Sequence, residues 1–387
     1  MTQLRIPAVY MRGGTSKGVF FDPADLPADP VARDRILLRV IGSPDPYGKH
    51  IDGMGAATSS TAKVVLISKS AQPDCDVDYL FGGLAVDKST IDWSGNCGNM
   101  TAAVGPYAIS MGLVQAPTDG WATVRIWQAN IGKKIIAHVP MQNSEVQEEG
   151  NFELDGVTFP AAEIKLEFID PGADEGEGEG GSMLPTEHLI DSLEVPGVGT
   201  FEVTLINAGL PTIFVEAKSL GFTGTELQPD INTKPDILAR IEKIRNYGAV
   251  AMGLARTPEE AAKTTHTPKV SFVAQSQTYT ASDGRVVKAE DIDLLARVFS
   301  MGPLHHAMTG TGAVAIAAAV AIPGTIPNRL ARKTPDGRVR FGHPSGTLSV
   351  GAEAQEIDGE WVVSKAMMSR SARRLMEGWV RVPDPNQ

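Results

Sequence analysis

Two stretches of this chain run from a glycine-rich turn into a series of small apolar residues, and they constrain the fold more than any other feature. The first is Ser94-Gly95-Asn96-Cys97-Gly98-Asn99-Met100, followed by Thr101-Ala102-Ala103-Val104-Gly105-Pro106-Tyr107-Ala108-Ile109. The second is Thr309-Gly310-Thr311-Gly312, followed by Ala313-Val314-Ala315-Ile316-Ala317-Ala318. Glycine permits the tight turn, and the run after it predicts a helix. A helix that is apolar around most of its surface is a buried helix. In a chain rich in strand-like segments, a sheet has to wrap it. Each stretch also has an upstream partner. Ala8 to Phe21 reads as strand, small-residue turn, strand, and Val203 to Val215 has the same shape around Asn207-Ala208-Gly209. The chain therefore reads as two copies of one α+β plan, whose helix N-termini are expected to face one cleft.

The remaining segments fit that plan. Lys63-Val64-Val65-Leu66-Ile67 and Val77-Asp78-Tyr79-Leu80-Phe81 read as strands. Thr123–Trp127 and Lys134–Val139 read as a hairpin around Gly132. Asp230 to Arg256 has helical spacing, with Ile237, Leu238, Ile241 and Ile244 on one side. A length of 387 residues, 42% hydrophobic and 21% charged, allows two or three domains with real cores. No signal peptide is expected, and the apolar run Ala313 to Ile322 is too short to span a bilayer. The two cysteines, Cys75 and Cys97, imply no disulfide framework. A cytoplasmic protein without membrane contact is the expectation.

A formal net charge of -11 argues against nucleic acid as a partner, since such binding relies on Lys and Arg neutralising phosphates. A small anionic substrate stays compatible, because a site can be locally positive. The acidic run Asp174 to Gly181 reads as a solvated connection, and its spacing is not that of an EF-hand.

Chemistry can sit at four places. Cys97 heads the first buried helix, where free N–H groups and the dipole favour negative charge and can activate a thiol or hold a carboxylate. A buried structural thiol is the competing reading. Arg12, Ser16 and Lys17 share a turn with Gly13 and Gly14, a pairing of donors with close backbone approach that suits a carboxylate or phosphate. An exposed hairpin with a basic tip would look the same. Lys63 follows the small and hydroxyl residues Thr58-Ser59-Ser60-Thr61-Ala62 and heads a buried strand, where an ammonium needs a partner or must give up its charge; snorkelling from the strand end is the alternative. His305-His306 precede the second glycine turn, but no carboxylate or thiol lies at ligand spacing, so no metal is expected. The chain has no nucleotide-binding fingerprint.

Longer strings carry a resemblance. Met11 to Phe21, Ile41-Gly42-Ser43-Pro44-Asp45-Pro46-Tyr47, Ile51-Asp52-Gly53-Met54-Gly55, Trp93 to Asn99, Gly342-His343-Pro344-Ser345-Gly346 and Arg370-Ser371-Ala372-Arg373 resemble the PrpF family, the 2-methylaconitate cis-trans isomerases. The resemblance runs through nearly the whole chain. It implies a diaminopimelate-epimerase-like fold: two similar domains, each a curled, mostly antiparallel sheet round a central helix, with the active site in the cleft between them. The expected domains are residues 1–140, completed by 371–387, and residues 141–370.

The family resemblance makes Lys63 the catalytic base, with Cys97 as a second catalytic group. It implies that Arg12, Ser16, Lys17, Ser60, Asn96, Gly98, Asn99, Thr309, Gly310, Thr311 and Ser371 bind substrate. The related epimerases use two facing thiols; Cys97 matches the first, but Thr309 stands where the second would be. The implied reaction is isomerisation of 2-methyl-trans-aconitate to 2-methyl-cis-aconitate in propionate breakdown by the methylcitrate route. Other small polycarboxylates such as trans-aconitate would be ligands, no cofactor would be needed, and a homodimer is compatible with this reading. Tautomerisation of 4-oxalomesaconate and non-catalytic tricarboxylate binding are the alternatives.

Overall fold

The computed structural model describes residues 3–172, 182–334 and 338–383. The expected acidic connection, Asp174 to Gly181, lies outside them. The chain divides into two compact units. One comprises the residues up to Leu166 together with those from Arg370, and the other is Glu167–Ser369. The first unit extends beyond residue 140 because the following segment is tied back to it. Gln147 N–H donates to Pro140 O, and Glu148 Oε1 accepts from Arg374 N–H on the C-terminal strand.

In the first unit, β1 (Gln3–Gly13) pairs antiparallel with β2 (Ser16–Phe21) on one edge and with the C-terminal strand Ala372–Pro383 on the other. β2 runs parallel to β3 (Lys63–Lys69), which is antiparallel to β4 (Val77–Leu84). β4 is parallel to β5 (Gly120–Gln128), and β5 is antiparallel to β6 (Lys133–Gln142), the hairpin expected around Gly132. Helix α1 (Pro30–Ile41) connects β2 to β3. Asp29 caps its start by accepting from Ala32 N–H, and Gly42 ends it in the left-handed conformation. Helix α2 (Gly98–Ser110) lies between β4 and β5 in sequence, and every residue from Gly98 to Ala108 is buried.

The strands of this unit alternate between two apolar partners. Val19 and Phe21 of β2 and Val64 and Leu66 of β3 pack in one cluster with Ile36, Leu37 and Val40 of α1. Phe20, between them, points the other way and meets the Tyr107 ring of α2 at 5.4 Å. Both sheet faces are covered, so these strands read as continuous apolar runs rather than as alternating ones.

The second unit has the same plan. β7 (Asp191–Val195), β8 (Gly199–Ala208) and β9 (Leu210–Glu216) are antiparallel neighbours, and β9 runs parallel to β10 (Lys269–Gln275). β10 is antiparallel to β11 (Leu294–Phe299), β11 parallel to β12 (Arg338–His343), and β12 antiparallel to β13 (Gly346–Ile357). Starting from the C-terminal strand in the first unit and from β7 in the second, the order of antiparallel and parallel partners is identical. The helix matching α1 is α3 (Pro235–Ala251), and the one matching α2 is α4 (Gly310–Ala321), buried from Gly310 to Ala319. Gly209, at φ +69°, lets the β8–β9 turn lie against α4: a Cβ there would stand 2.9 Å from Val314 Cβ.

The helical pattern read over Asp230 to Arg256 is not continuous. A short helix, Gln228–Asn232, ends before α3 begins at Pro235. Proline has no N–H and opens a helix rather than continuing one. Gly253 at φ +74° follows the far end. No helix among the described residues is long and apolar enough to cross a membrane.

Candidate active site

The first unit gathers most of the predicted residues around the start of α2. The β1–β2 turn is closed by Gly13 opposite Ser16 and lies over that helix start. Gly14 sits at φ +52°, and a Cβ there would come within 2.5 Å of Asn99 Oδ1 and 3.1 Å of Arg370 Cδ. Only glycine fits both the backbone conformation and the space. The turn is also bound to the residue before the C-terminal strand, because Gly14 N–H donates to Ser371 O at 2.9 Å.

Arg12 does not form the tip of an exposed hairpin. Its Nη1 donates to Gly14 O at 3.0 Å and to Ser371 O at 2.9 Å. Burial, then Arg373, lower its pKa to about 10, with Glu148 opposing, so the guanidinium stays charged at neutral pH. Lys17 is half-buried, its Nζ 5.4 Å from the centre of the Tyr10 ring, and Ser16 is buried. Lys17 N–H donates to Ser60 O at 3.0 Å, which joins the buried Ser60 and the segment before β3 to the turn.

Lys63 is the first residue of β3, opposite Gly83 of β4, and is 8% exposed. Its Nζ stands 4.7 Å from the centre of the Phe81 ring, the negative face of an aromatic quadrupole. No carboxylate among the described residues forms an ion pair with it. Few lysines are buried without a counter-charge.

Cys97 is the N-cap residue of α2, half-buried, with extended backbone and no side-chain cap bond. The N–H groups of the first helical turn, from Gly98 and Asn99 onward, are therefore not closed by their own cap. The Cys97 carbonyl is held by the hydroxyls of Thr101 at 3.0 Å and Tyr79 at 3.2 Å. Burial above all pushes the Tyr79 phenol well above its usual pKa, so it remains a neutral donor. Asn99 donates from Nδ2 to Thr15 Oγ1 at 3.0 Å and accepts at Oδ1 from Arg370 Nε at 3.0 Å. Arg370 is itself 1% exposed, and burial lowers its pKa to about 10.

Two further predicted residues stand here with buried polar atoms that have no partner. Both amide atoms of Asn96 and the hydroxyl of Ser371 are unpaired, on residues 2% and 1% exposed. A buried polar group without a hydrogen bond is costly, so such groups call for an explanation. A bound polar ligand supplies one.

Thr309, Gly310 and Thr311 lie in the second unit, at the start of α4. Thr309 caps that helix with its own hydroxyl, which accepts from Gly312 N–H at 3.0 Å. Gly310 and Thr311 are buried in the first turn. His305 and His306 stack with ring centres 4.6 Å apart. His305 Nδ1 accepts from Ala307 N–H, and burial lowers the pKa of His306. Among the described residues no three His, Cys, Asp or Glu side chains converge to hold a metal ion.

Sequence reasoning missed Thr15, Tyr79, Thr101 and Arg370. Arg370 lay within a string that carried the resemblance, and Thr15 lay inside the turn already singled out. Nothing in the sequence links Tyr79 to Cys97.

Residues 3–383 match the sequence model of the family described as PrpF protein. The chain belongs to the PrpF family. A family relative from Cupriavidus necator, a 2-methyl-aconitate isomerase, is 64% identical over 98% of both chains. The crystal structure of a methylitaconate-delta-isomerase is 38% identical, with a TM-score of 0.80, over 99% of this chain and 96% of that one. A hydroxyproline epimerase from Agrobacterium vitis, only 14% identical, aligns over 99% of this chain and 94% of its own with a TM-score of 0.56. That likeness shows the fold: this PrpF member has the epimerase-like architecture of two similar α+β units.

Proposed function

We propose that this chain is an isomerase that converts 2-methyl-trans-aconitate to 2-methyl-cis-aconitate, the step such a chemistry would supply in propionate breakdown. The observation that carries the reading is Lys63: a buried lysine without a carboxylate partner, in the unit whose helix start carries unclosed backbone donors. The 64% identity to a 2-methyl-aconitate isomerase supports the choice of substrate.

The chemistry balances by proton transfer alone. Lys63 takes a proton from the carbon that is α to a carboxylate and next to the double bond. The electron pair left behind spreads through the double bond into the carboxylates, and the central C–C bond loses double-bond character. Rotation about it follows, and the lysine ammonium returns the proton to the same carbon. Negative charge grows during the first step. The N–H groups of the first turn of α2 and the Arg12 guanidinium favour that growth. In this scheme the Cys97 thiol, at the head of the helix, donates to the developing anion, and Ser16, Lys17, Ser60, Asn96 and Ser371 hold the carboxylates.

The test is turnover of 2-methyl-trans-aconitate by the purified chain, followed by proton NMR in heavy water. We expect isomerisation with deuterium appearing on the carbon next to the double bond. Lys63→Ala should lower turnover by roughly two to four orders of magnitude, the usual scale for loss of a general base, while the thermal midpoint stays close to that of the parent. Near-normal turnover in Lys63→Ala would remove the base from this scheme. A chain inert on this substrate but active on 4-oxalomesaconate would move the function to the sister reaction.

A further inference from the structure

The contacts of Asn99 reveal the direction of a hydrogen-bond relay. A guanidinium has only donors. The Asn99 atom facing Arg370 Nε at 3.0 Å is therefore Oδ1, and the amide must turn Nδ2 toward Thr15 Oγ1, also 3.0 Å away. Thr15 accepts at that oxygen, so its own proton points elsewhere. No acceptor for that proton lies among the described residues. The relay thus starts at a buried cation and ends on a half-buried hydroxyl with a proton to give.

Two observations favour a ligand over a structural group at the end of this relay. Gly14 packs directly on the Asn99–Arg370 pair, so the turn bearing Thr15 is held in place independently of the Thr15 hydroxyl. Ser371, which binds the same turn through its carbonyl, leaves its own buried hydroxyl without a partner. One acceptor-rich ligand would satisfy both hydroxyls.

We propose that Thr15 is a further substrate-contacting residue, whose hydroxyl donates to a carboxylate oxygen, and that Arg370 is the positioning residue that aims it through Asn99. The inference rests on the reading of this turn as a polycarboxylate site. Donor, amide and hydroxyl form a chain in which each bond polarises the next, so loss of Arg370 should weaken the same contact as loss of the Thr15 hydroxyl.

Steady-state kinetics of the full chain with 2-methyl-trans-aconitate test this. Thr15→Val removes the hydroxyl at nearly constant shape and should raise KM about tenfold, the scale of one hydrogen bond to a charged group, with kcat little changed. Thr15→Ser should restore KM. Arg370→Met should raise KM in the same way, and the double variant should be no worse than the more impaired single one. A Thr15→Val enzyme with the parent KM overturns the proposal, as does a double variant whose effects multiply. If Arg370→Met does not fold, the Val and Ser variants of Thr15 decide alone. Parent protein inert on the tricarboxylate would sink the functional reading and this inference together; active parent with an unaffected Thr15→Val sinks the inference only.

Discussion

The starts of α2 and α4 are the same structural element used in two ways. Both helices are buried on nearly every side, both begin with a glycine, and both are overlain by a β-hairpin turn that needs glycine at positive φ. In the second unit, Thr309 closes its helix with its own hydroxyl, and the overlying turn is Asn207-Ala208-Gly209-Leu210. In the first, Cys97 leaves its helix without a side-chain cap, and the turn carries Arg12, Thr15, Ser16 and Lys17. One copy of the scaffold spends its polar groups on itself. The other leaves its helix without a side-chain cap and sets the half-buried Arg12 and Lys17 and the buried Arg370 about the overlying turn. A fold repeated in this way can retain its core chemistry in both halves while chemical function is loaded on one.

The largest effect expected from that comparison, beyond the loss of the base, concerns Arg12. It is one of two cations in the first turn, with Lys17, and the second turn has a counterpart to neither. Arg12→Ala should weaken binding of trans-aconitate by about 1.5–3 kcal/mol, as for a hydrogen bond to a charged group. Calorimetric titration reads it directly. Unchanged affinity would mean that Arg12 only stitches its own turn to Ser371, and the contrast between the two turns would lose its charged half.

Next in size are the two turn glycines. Gly14→Ala would press a methyl against Asn99 Oδ1, and Gly209→Ala against Val314 Cβ, each at a backbone conformation that disfavours a side chain. Strain of this kind costs on the order of 1–3 kcal/mol, so both variants should melt earlier. They should part company in function. Gly14→Ala disturbs the Asn99–Arg370 pair and should also raise KM, whereas Gly209→Ala should leave KM at the parent value. An equal rise in KM for both would show that the second helix start carries as much of the substrate as the first.

Much of this was legible because it is encoded locally. The runs Thr101 to Ile109 and Ala313 to Ala318 have no polar side, so burial all round followed from composition. The strand, turn, strand shape around Gly14 and Gly209 identified the repeat. Lys63 stood out because a charge heads a strand of Val, Leu and Ile. The rest depends on register and on contacts between distant positions. Arg370 reaches Asn99 across 271 positions, and Tyr79 reaches Cys97 from within β4. Arg12 folds back onto Ser371, 359 positions away, which no local pattern announces. The helix read over Asp230 to Arg256 failed for a local reason instead: Pro235 restarts it, and apolar periodicity does not register a missing N–H.

The smallest effect is the most specific to the comparison, because it exchanges the caps. Thr309→Ala removes a hydroxyl that accepts from Gly312 N–H, and loss of an N-cap of this type costs about 1 kcal/mol. Cys97→Ser does the reverse. Serine can turn its oxygen onto the first-turn N–H groups that cysteine leaves open, so the variant should gain up to about 1 kcal/mol. That gain would come from the donors proposed to hold the substrate. Cys97→Ser should therefore melt slightly later and bind trans-aconitate more weakly, with a loss of turnover smaller than that of Lys63→Ala. Thr309→Ala should melt earlier. Thermal midpoints of the two variants, measured with and without trans-aconitate, check both halves: the ligand should stabilise the Cys97→Ser protein less than the parent. A Cys97→Ser protein that gains stability and keeps full ligand stabilisation would show that the open first turn of α2 is not where the carboxylate sits. Complete loss of turnover with normal binding would instead make the thiol an obligatory proton carrier, and the difference between the two helix starts would then lie in the sulfur rather than in the missing cap.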